Sequence, residues 1–509
     1  MEKNRRSTIW QGAFWLSIGS FISKLIGAVY RIFLPRVLGD YGVGLFQMAY
    51  PLYAVLLAVS VNGIPTALSK QTAEKLSRGD EAGAEALGAW AQVCLGSVGM
   101  LLAVMMELCA PLIARGLFSE PAATLPIRAL APAMGFVSLE ASFRGYFQGR
   151  QEMAPTATSQ ILEQVVRVSV MFPIALLLLP EGIERAAAGA TLGAPIGAVV
   201  GVGYLIWRRA QHQPRFRLRR PVPFKELGRL FLVALPMSLS GLLFPLMLLA
   251  DSMFVPLRLT RTGIPLVKAT ALFGRLSGEA MPLVNLTMVV GAALAVSLVP
   301  AVARSIASGR REEAGHRVGV AMHLVWLLGL PMGGGLIVLA RPLTQLLYGE
   351  SGASGALEVL ALGATVLALQ QVLGSALQAA GRGWIPVKNL VAGALVKFIL
   401  TWWLTPLPAL GIRGAAIGTV VAGVLTAYLN WRDWAKIVPH PGGFLTGAVW
   451  PTAGTVLMVM GVQTWIHLGM GWPLATMIAS AVGLGALIYG ILMLSVGELH
   501  GIQRLWNER

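Results

Sequence analysis

The chain has 509 residues, of which 56% are hydrophobic and 12% are charged, and its formal net charge is +17. The charged fraction is about half of that typical of a soluble domain, so the composition excludes a soluble globular protein. Apolar stretches of about 20 residues, long enough to cross a bilayer, recur from residue 9 to residue 496. They leave no room for a water-soluble catalytic domain.

Fourteen apolar segments separated by polar breaks are predicted to span a membrane as helices. In chain order they lie near residues 9-34, 43-69, 86-114, 125-148, 156-180, 186-207, 228-255, 279-303, 317-340, 355-379, 385-405, 411-431, 444-467 and 472-496. The first segment is longer than the apolar part of a signal peptide and is therefore predicted to be a retained helix. An even number of spans places both termini on one side of the membrane.

The distribution of basic residues predicts which side that is. With the N-terminus in the cytoplasm, the cytoplasmic segments carry 24 basic residues and the outer segments carry 9. This alternation follows the positive-inside rule, so both termini are predicted to be cytoplasmic. The net charge is then explained by topology and by anionic lipid headgroups, and nucleic-acid binding is not needed.

The sequence also contains an internal repeat at an offset of about 225 to 235 residues. The matching positions are GIPTALSK from Gly63 with LVPAVAR from Leu298, APLIARGLF from Ala110 with RPLTQLLY from Arg341, Gln148 with Gln378, Pro155 with Pro386, Arg167 with Lys397, GATLG from Gly189 with GAAIG from Gly414, and Tyr204 and Trp207 with Tyr428 and Trp431. Their common order and nearly constant offset favour a duplication of six helices.

The repeat predicts an all-α polytopic membrane protein, with two parallel six-helix lobes around a central cavity and two further C-terminal helices. The predicted boundaries are an N-lobe at residues 1-207, a basic cytoplasmic linker at 208-227, a C-lobe at 228-436, and helices 13 and 14 with a cytoplasmic tail at 437-509. This design is typical of transporters in which one lobe rocks against the other around a site between them.

Ionisable residues inside the predicted spans are candidates for a functional site, because a charge at mid-bilayer costs about 2.5 to 3.5 kcal/mol. Glu140 and Arg144 are four residues apart on one predicted helix, as are Glu163 and Arg167. Each pair is therefore predicted to meet on one helix face. The pairs serve either to neutralise charge inside the structure or to line a cavity.

Lys24 and Arg31 lie two turns apart on one face of the first predicted helix, with no acid within four positions of either. Either Arg31 reaches the outer headgroups and Lys24 pairs with an acid on another helix, or the two form a cationic wall of a hydrated cavity. Arg275 lies at the start of the eighth predicted helix, in a basic outer loop. It is either a solvated loop charge or a second cationic face, and such a cavity would prefer an anion.

No motif for catalysis, metal binding or cofactor binding occurs in the sequence. There is no P-loop, no nucleophile elbow and no HExxH motif, and the six histidines have no ligand spacing. We therefore expect no enzymatic activity, no catalytic residue, no cofactor and no metal.

Four segments carry a family resemblance: SFISKLIGAVYRIFLPRVLGDYGVGLFQMAYPLY from Ser20, GIPTALSK from Gly63, LADSMFVPLRL from Leu249 and LFGRLSGEAMPLVNL from Leu272. They resemble the polysaccharide-transport branch of the MOP (multidrug/oligosaccharidyl-lipid/polysaccharide) exporter superfamily. Within it, the chain is similar to the stage V sporulation protein B group and to the MurJ-type lipid II flippases. The resemblance covers essentially the whole chain and implies fourteen helices in two six-helix lobes plus two.

The resemblance also implies a substrate site. In MurJ-type proteins, basic residues of helix 1 and one at the start of helix 8 line a cavity that receives the pyrophosphate and sugar of the substrate. Carried over by motif, the implied residues are Lys24, Arg31, Arg36, Asp40 and Arg275. Lys24 stands where an arginine is expected, which keeps the charge but replaces a bidentate fork by a point charge. In such proteins, helices 13 and 14 are associated with a groove for the lipid tail, so the resemblance implies the same for this chain.

The favoured hypothesis is a flippase that moves a polyprenyl-diphosphate-linked cell-wall precursor across the bacterial cytoplasmic membrane. One alternative is a cation-coupled multidrug exporter of the MATE type, and another is a non-transporting assembly factor of spore or cell-wall machinery. The expected partners are the lipid-linked saccharide, membrane lipids and cell-wall synthesis enzymes, and the expected state is a monomer. The headgroup, the coupling ion and a vegetative or sporulation role are left open by the sequence.

Overall fold

The computed structural model describes residues 2-61, 63-212, 224-439, 443-445, 447-469 and 471-498, and these residues form helices and no strand. The α-helices are α1 (Glu2–Ser60), α2 (Ile64–Ser77), α3 (Glu81–Gly116), α4 (Thr124–Leu130), α5 (Ala133–Gly149), α6 (Met153–Leu178), α7 (Ile183–His212), α8 (Phe224–Thr260), α9 (Leu266–Gly274), α10 (Met281–Ala307), α11 (Arg311–Val338), α12 (Ala340–Tyr348), α13 (Ser354–Ala379), α14 (Trp384–Leu404), α15 (Ile412–Ala435), α16 (Val449–Leu468) and α17 (Leu474–Ser495). A π-helical turn, Arg275–Ala280, joins α9 to α10.

Twelve helical segments of the described chain are long and apolar enough to cross a membrane. The all-α multi-pass architecture is therefore confirmed, whereas the count of fourteen is not. One difference is that the first two predicted spans are not separate, because α1 runs through the first and most of the second and the two merge into one apolar segment, Leu25–Ser77. The other is that α16, which coincides with the thirteenth predicted span, is not among the twelve, because polar residues such as Gln463 and Thr464 lower its hydropathy.

Helix α1 is kinked at Gly39, where φ is 63° and ψ is 174°. This backbone conformation is open essentially only to glycine, and a Cβ there would meet nothing within 4 Å, so conformation and not crowding requires glycine. Arg31 and Tyr50 would lie about 28 Å apart along a straight helix. Because of the kink, the Arg31 guanidinium lies 5.4 Å from the Tyr50 ring centroid.

The chain divides into two compact units. The first comprises Met1–Leu257 and Leu266–Gly274, and the second comprises Arg258–Pro265 and Arg275–Arg509. The first unit thus includes α8 as far as Leu257. The lobe boundaries given above and the cavity between the lobes stay predictions.

Each unit has its own apolar core. In the first unit, one buried cluster joins α2, α3, α5 and α8 through Ile64, Leu68, Leu87, Leu95, Tyr146 and Leu230. In the second unit, a larger cluster joins α10, α11, α13 and α15 through Val302, Val325, Trp326, Leu369, Leu373 and Trp434. These cores fix the helices that carry the polar residues described below.

In the first unit, α7 packs against its neighbours through glycines at every fourth position, namely Gly189, Gly193, Gly197 and Gly201. A Cβ on Gly193 would lie 2.7 Å from the carbonyl oxygen of Arg167, and one on Gly197 would lie 2.5 Å from that of Glu163. This glycine stripe allows the backbones of α6 and α7 to approach closely, as small residues do in many membrane helix pairs.

The second unit repeats this contact between α14 and α15. A Cβ on Gly418 would lie 3.1 Å from the carbonyl oxygen of Lys397, which the repeat matches with Arg167. A Cβ on Gly414 would lie 2.6 Å from the carbonyl oxygen of Leu404. The internal repeat found in the sequence therefore has a counterpart in helix packing.

An aromatic pair supports the same correspondence. The ring centroids of Tyr204 and Trp207 on α7 lie 5.9 Å apart at an interplanar angle of 40°. Those of Tyr428 and Trp431 on α15 lie 5.9 Å apart at 33°. Both pairs were matched by the sequence repeat, and both adopt the same tilted arrangement.

Candidate functional site

A network of four charged side chains joins α5 to α6 in the first unit; we call it the ion network (Glu140, Arg144, Glu163 and Arg167). Arg144 pairs with Glu140 on its own helix and, at 3.0 Å, with Glu163 on α6. Arg167 pairs with Glu163 on α6. Both predicted i,i+4 pairs are therefore present, and Arg144 links them across the two helices.

The ion network is nearly removed from solvent, with side chains between 0% and 15% exposed. Charges buried to this degree are tolerated only when they are paired and hydrogen-bonded. Arg144 meets this requirement with a further bond from Nε to the Ser159 hydroxyl at 3.0 Å. A Cβ on Gly201 would lie 2.3 Å from Oε1 of Glu140, so the glycine stripe of α7 also makes room for this carboxylate.

Arg31 is held by aromatic rings. Its guanidinium carbon lies 6.0 Å from the ring centroid of Tyr30 and 5.4 Å from that of Tyr50. Among the described side chains, no carboxylate forms an ion pair with Arg31. Cation–π contacts of this kind orient a guanidinium without neutralising its charge, so Arg31 retains a full positive charge beside these two rings.

Tyrosines connect Arg31 to the ion network. Tyr50 lies close to both Arg31 and Arg167, and Tyr53, one turn further along α1, also lies close to Arg167. The ring centroids of Tyr50 and Tyr53 lie 5.9 Å apart. Three arginines and two glutamates thus meet around a group of tyrosines, and their formal charges leave one positive charge in excess.

The remaining predicted residues of helix 1 are placed less closely. The side chain of Lys24 lies outside the described residues, although its backbone belongs to α1. The adjacent turn of α1 packs on α6, where Nε2 of Gln164 donates to the carbonyl oxygen of Ser23 at 3.3 Å. Arg36 is exposed and Asp40 is half-buried, on either side of the kink at Gly39.

Arg275 belongs to the second unit and begins the π-helical turn. Its Nη2 donates to Oε2 of Glu350 at 2.9 Å, and the two side chains are 26% and 68% exposed. The outer loop predicted around Arg275 is corrected by the structure, because helix α9 begins at Leu266 and a helical stretch continues to Ala307. Arg275 therefore lies within a long helical segment and forms an ion pair at its surface.

Sequence reasoning missed the tyrosines and the link between α5 and α6. Tyr50 and Tyr53 are three residues apart and hence on one helix face, which is a signal for a shared surface. The sequence gives no signal for the contact of Arg144 with Glu163, because that contact depends on how the two helices pack.

The family model for polysaccharide biosynthesis proteins matches residues 9–306, more than half of the chain. The chain belongs to this polysaccharide biosynthesis protein family. A second model, MatE, matches residues 277–403 of the same chain. The resemblance to the MOP superfamily seen in the sequence is thus confirmed.

Two curated relatives show how far the similarity of this family member extends. Stage V sporulation protein B of Bacillus subtilis (strain 168) is 30% identical over 85% of this chain and 85% of its own length. The lipid II flippase MurJ of the same organism is 28% identical over 83% of this chain and 81% of its own length. The relatives' names describe a sporulation protein and a flippase and no enzyme, which agrees with the expectation of a chain without catalysis.

Solved structures share the fold. The inward closed conformation of the lipid II flippase MurJ superimposes with a TM-score of 0.73 at 15% identity, covering 95% of this chain and 98% of that one. An inward-facing MATE family multidrug transporter of the MOP superfamily gives a TM-score of 0.68 at 16% identity, covering 88% and 98%. The chain is therefore a multi-pass membrane protein with the fold of MOP transporters.

Proposed function

We propose that this protein flips a polyprenyl-diphosphate-linked cell-wall precursor, lipid II or a related lipid-linked oligosaccharide, from the inner to the outer leaflet of the bacterial cytoplasmic membrane. The observation that carries the proposal is Arg31, a guanidinium held by Tyr30 and Tyr50 with no carboxylate of the described residues paired to it. Beside it, the ion network is internally neutralised. Arg31 therefore supplies the excess positive charge that an anionic substrate would neutralise.

The physical demands of flipping agree with this arrangement. A polyprenyl tail can stay in lipid throughout, but its charged head must be shielded across about 30 Å of hydrocarbon. A guanidinium grips phosphate oxygens through two parallel N–H bonds, and such charge-assisted bonds are about twice as strong as neutral ones. Alternating access, with both termini in the cytoplasm, then moves the head without covalent chemistry. The similarity to lipid II flippases supports this substrate class.

Lys24, Arg36, Asp40 and Arg275 are proposed to complete the substrate site. Arg275 already contacts a carboxylate of Glu350, so a diphosphate would have to replace that carboxylate. Because Glu350 is largely exposed, the exchange costs little: surface ion pairs contribute about 0–1 kcal/mol. Cell-wall synthesis enzymes remain the proposed partners, and a monomer the proposed state.

A second candidate function is cation-coupled export of amphipathic drugs. The observation that favours it is Glu140, whose Oε2 is buried and has no hydrogen-bond partner among the described residues. A membrane-embedded carboxylate of this kind can exchange a cation for a substrate. The match of residues 277–403 to the MatE model is consistent with this candidate.

Transport by purified protein in liposomes separates the two functions. The assay follows the leaflet exposure of lipid II, of a second polyprenyl-diphosphate glycan, and the efflux of a cationic dye. We expect movement of a polyprenyl-linked glycan and no dye efflux. Dye efflux without movement of either lipid would favour the drug exporter and contradict the flippase.

The variant Arg31→Ala tests the site itself. We expect at least a tenfold loss of glycan movement, about 1.4 kcal/mol of lost interaction and within the range of a hydrogen bond to a charged group, and partial recovery in Arg31→Lys. The control is Arg185→Ala, which removes an exposed arginine that pairs with Glu181. Full activity of Arg31→Ala in folded protein would refute the assignment.

A further inference from the structure

Two arginines at the C-terminal end of α8 share one aromatic ring of α14 in the second unit; we call them the arginine pair (Arg258 and Arg261). Their guanidinium carbons lie 4.3 and 5.5 Å from the ring centroid of Trp402. The two carbons are therefore at most 9.8 Å apart, the sum of these two distances. Arg258 is half-buried and Arg261 is exposed, so both can be reached from outside the protein.

The arginine pair carries two positive charges that the described residues do not neutralise. Nε of Arg258 donates to the backbone carbonyl oxygen of Trp402 at 2.8 Å. Among the described side chains no carboxylate forms an ion pair with either arginine, and the guanidinium of Arg261 has no hydrogen-bond acceptor there. Cation–π contacts orient a guanidinium without neutralising it, and like charges at this distance repel each other. The arginine pair therefore favours an anion as its ligand.

One face of α14 is apolar and exposed up to the residue next to Trp402; we call it the α14 stripe (Leu395, Ile399 and Trp403). These three residues follow each other at intervals of four and are 58%, 57% and 68% exposed. Residues at this spacing lie on one face of a helix. Because α14 is long and apolar enough to cross a membrane, such a face is covered by lipid.

The ends of two helices indicate the depth of the arginine pair in the membrane. Helix α8 ends at Thr260 and helix α14 at Leu404, and the predicted topology places both ends on the outer side. Tryptophans are enriched at the level of the lipid headgroups, and Trp402 and Trp403 lie in the last turn of α14. The arginine pair is therefore expected at the depth of the outer headgroups, beside a face that acyl chains can cover.

We propose that the arginine pair binds the phosphate of one anionic phospholipid of the outer leaflet, with an acyl chain of that lipid along the α14 stripe. The occupant is a lipid because the cationic surface and the lipid-facing stripe adjoin at Trp402 and Trp403. It is anionic because two guanidinium groups without a described carboxylate partner favour a headgroup that has no cation of its own, and they form strong charge-assisted bonds with phosphate oxygens. The proposal does not rest on the flippase, since neither arginine belongs to the proposed substrate site.

Native mass spectrometry of the full-length protein, released from nanodiscs of phosphatidylglycerol or phosphatidylcholine, tests the proposal. We expect one phosphatidylglycerol molecule to be retained about 25-fold more than phosphatidylcholine, because each basic residue near an anionic headgroup contributes about a factor of five. Arg261→Gln should reduce this preference to about fivefold, and the double variant Arg258→Gln/Arg261→Gln should abolish it. Arg261→Gln remains informative if the double variant does not fold, because only Arg258 is bonded to the α14 backbone.

Two further variants separate a built site from a general effect of charge. Trp402→Leu keeps both arginines but removes the ring that orients them, and should lower the preference about twofold to fivefold. The matched control is Arg413→Gln, which removes an arginine on the same predicted side of the membrane. The Arg413 side chain is 51% exposed and lies 4.0 Å from Glu358. This variant should retain phosphatidylglycerol as the unchanged protein does.

Several results would overturn the proposal. Equal retention of the two lipids by the unchanged protein would do so, as would full preference in the double variant or an equal loss of preference in Arg413→Gln. Thermal stabilisation by inorganic phosphate as large as that by phosphatidylglycerol would indicate a simple anion site instead of a lipid site. Displacement of the retained lipid by an equimolar polyprenyl diphosphate would assign the arginine pair to the lipid-linked substrate.

Discussion

The helix pair α6–α7 and the helix pair α14–α15 share a packing geometry but differ in chemistry. In each pair, a glycine packs closely against the backbone carbonyl oxygen of a basic residue on the neighbouring helix. Gly193 packs against Arg167, and Gly418 packs against Lys397. At the common offset of 230 residues, however, Glu140, Arg144 and Glu163 correspond to Gln370, Gly374 and Gly393. Of the ion network, only the cation at the last position has a charged counterpart.

The second unit has a different polar cluster at α14 and α15. Nδ2 of Asn389 donates to Oδ1 of Asn430 at 3.0 Å and to Oδ2 of Asp433 at 3.1 Å, and Asp433 also pairs with Lys436 at 2.7 Å. The comparison teaches that close helix packing constrains the backbone and the small residues, whereas the polar side chains on that backbone can diverge independently in the two halves.

The largest expected effect comes from breaking the ion network. Glu163→Ala removes the carboxylate shared by Arg144 and Arg167 and leaves two buried guanidinium groups with less compensation, so it should lower the free energy of unfolding by about 3–5 kcal/mol. Unfolding of the purified protein in detergent measures this. Glu181→Ala breaks an exposed pair with Arg185 and should cost at most about 1 kcal/mol. Equal losses in the two variants would mean that the network adds nothing to stability.

The shared packing geometry is tested by adding single methyl groups. Gly197→Ala places a Cβ 2.5 Å from a backbone oxygen that cannot move aside, and overpacking of this kind costs about 1–3 kcal/mol. Gly418→Ala, with its nearest atoms at 3.0 and 3.1 Å, should destabilise less. Gly203, also on α7, has nothing within 4 Å of an added Cβ.

Gly203→Ala is thus the internal control, and it should be neutral or stabilise the protein by about 0.5–1 kcal/mol through helix propensity. Thermal unfolding of the three variants side by side gives the ranking. If Gly197→Ala proved as stable as Gly203→Ala, close backbone contact would not explain the glycine stripe.

The last prediction concerns the neutral polar cluster of the second unit, and its effect should be no larger than that of Gly197→Ala. Asn389→Ala removes one amide that serves Asn430 and Asp433, and losing hydrogen bonds to these partners should cost about 1–3 kcal/mol. Thr476→Ala, which removes an exposed bond to the Pro473 carbonyl, should stay within about 0.5 kcal/mol. The measurement is again unfolding, and a loss as large as that of Glu163→Ala would erase the contrast between charged and neutral clusters.

Much of the fold follows from the sequence, because lipid demands long apolar helices and these are visible in the order of residues. The pairs Glu140 with Arg144 and Glu163 with Arg167 were predictable because side chains four residues apart on a helix lie close together on one face. The repeat was predictable because the packing of small residues leaves matched glycines such as Gly193 and Gly418. Each of these features is visible in the sequence because it depends on residues close together in the chain or on a regular spacing.

The remaining features depend on contacts between distant parts of the chain. Arg144 contacts Glu163 only because α5 and α6 pack against each other at these two residues. Arg31 contacts Tyr50 only because α1 is kinked at Gly39. The sequence does not predict that a single glycine in an apolar run, such as Gly39, adopts a positive φ angle. Arg275 and Glu350 are likewise 75 positions apart, and a pairing at that distance follows from tertiary structure alone.

The glycine stripe has a mechanical consequence. At Gly193 and Gly197 of α7, an added Cβ would lie only 2.7 and 2.5 Å from carbonyl oxygens of α6, so at these two positions backbone meets backbone and there is little side chain to absorb a displacement. Rotation or sliding of α6 alone would drive carbonyl oxygens of α6 into the backbone of α7. Any transport step that shifts Arg167 relative to Tyr50 must therefore carry α6 and α7 together as one rigid block, and the movable joint must lie elsewhere in the unit.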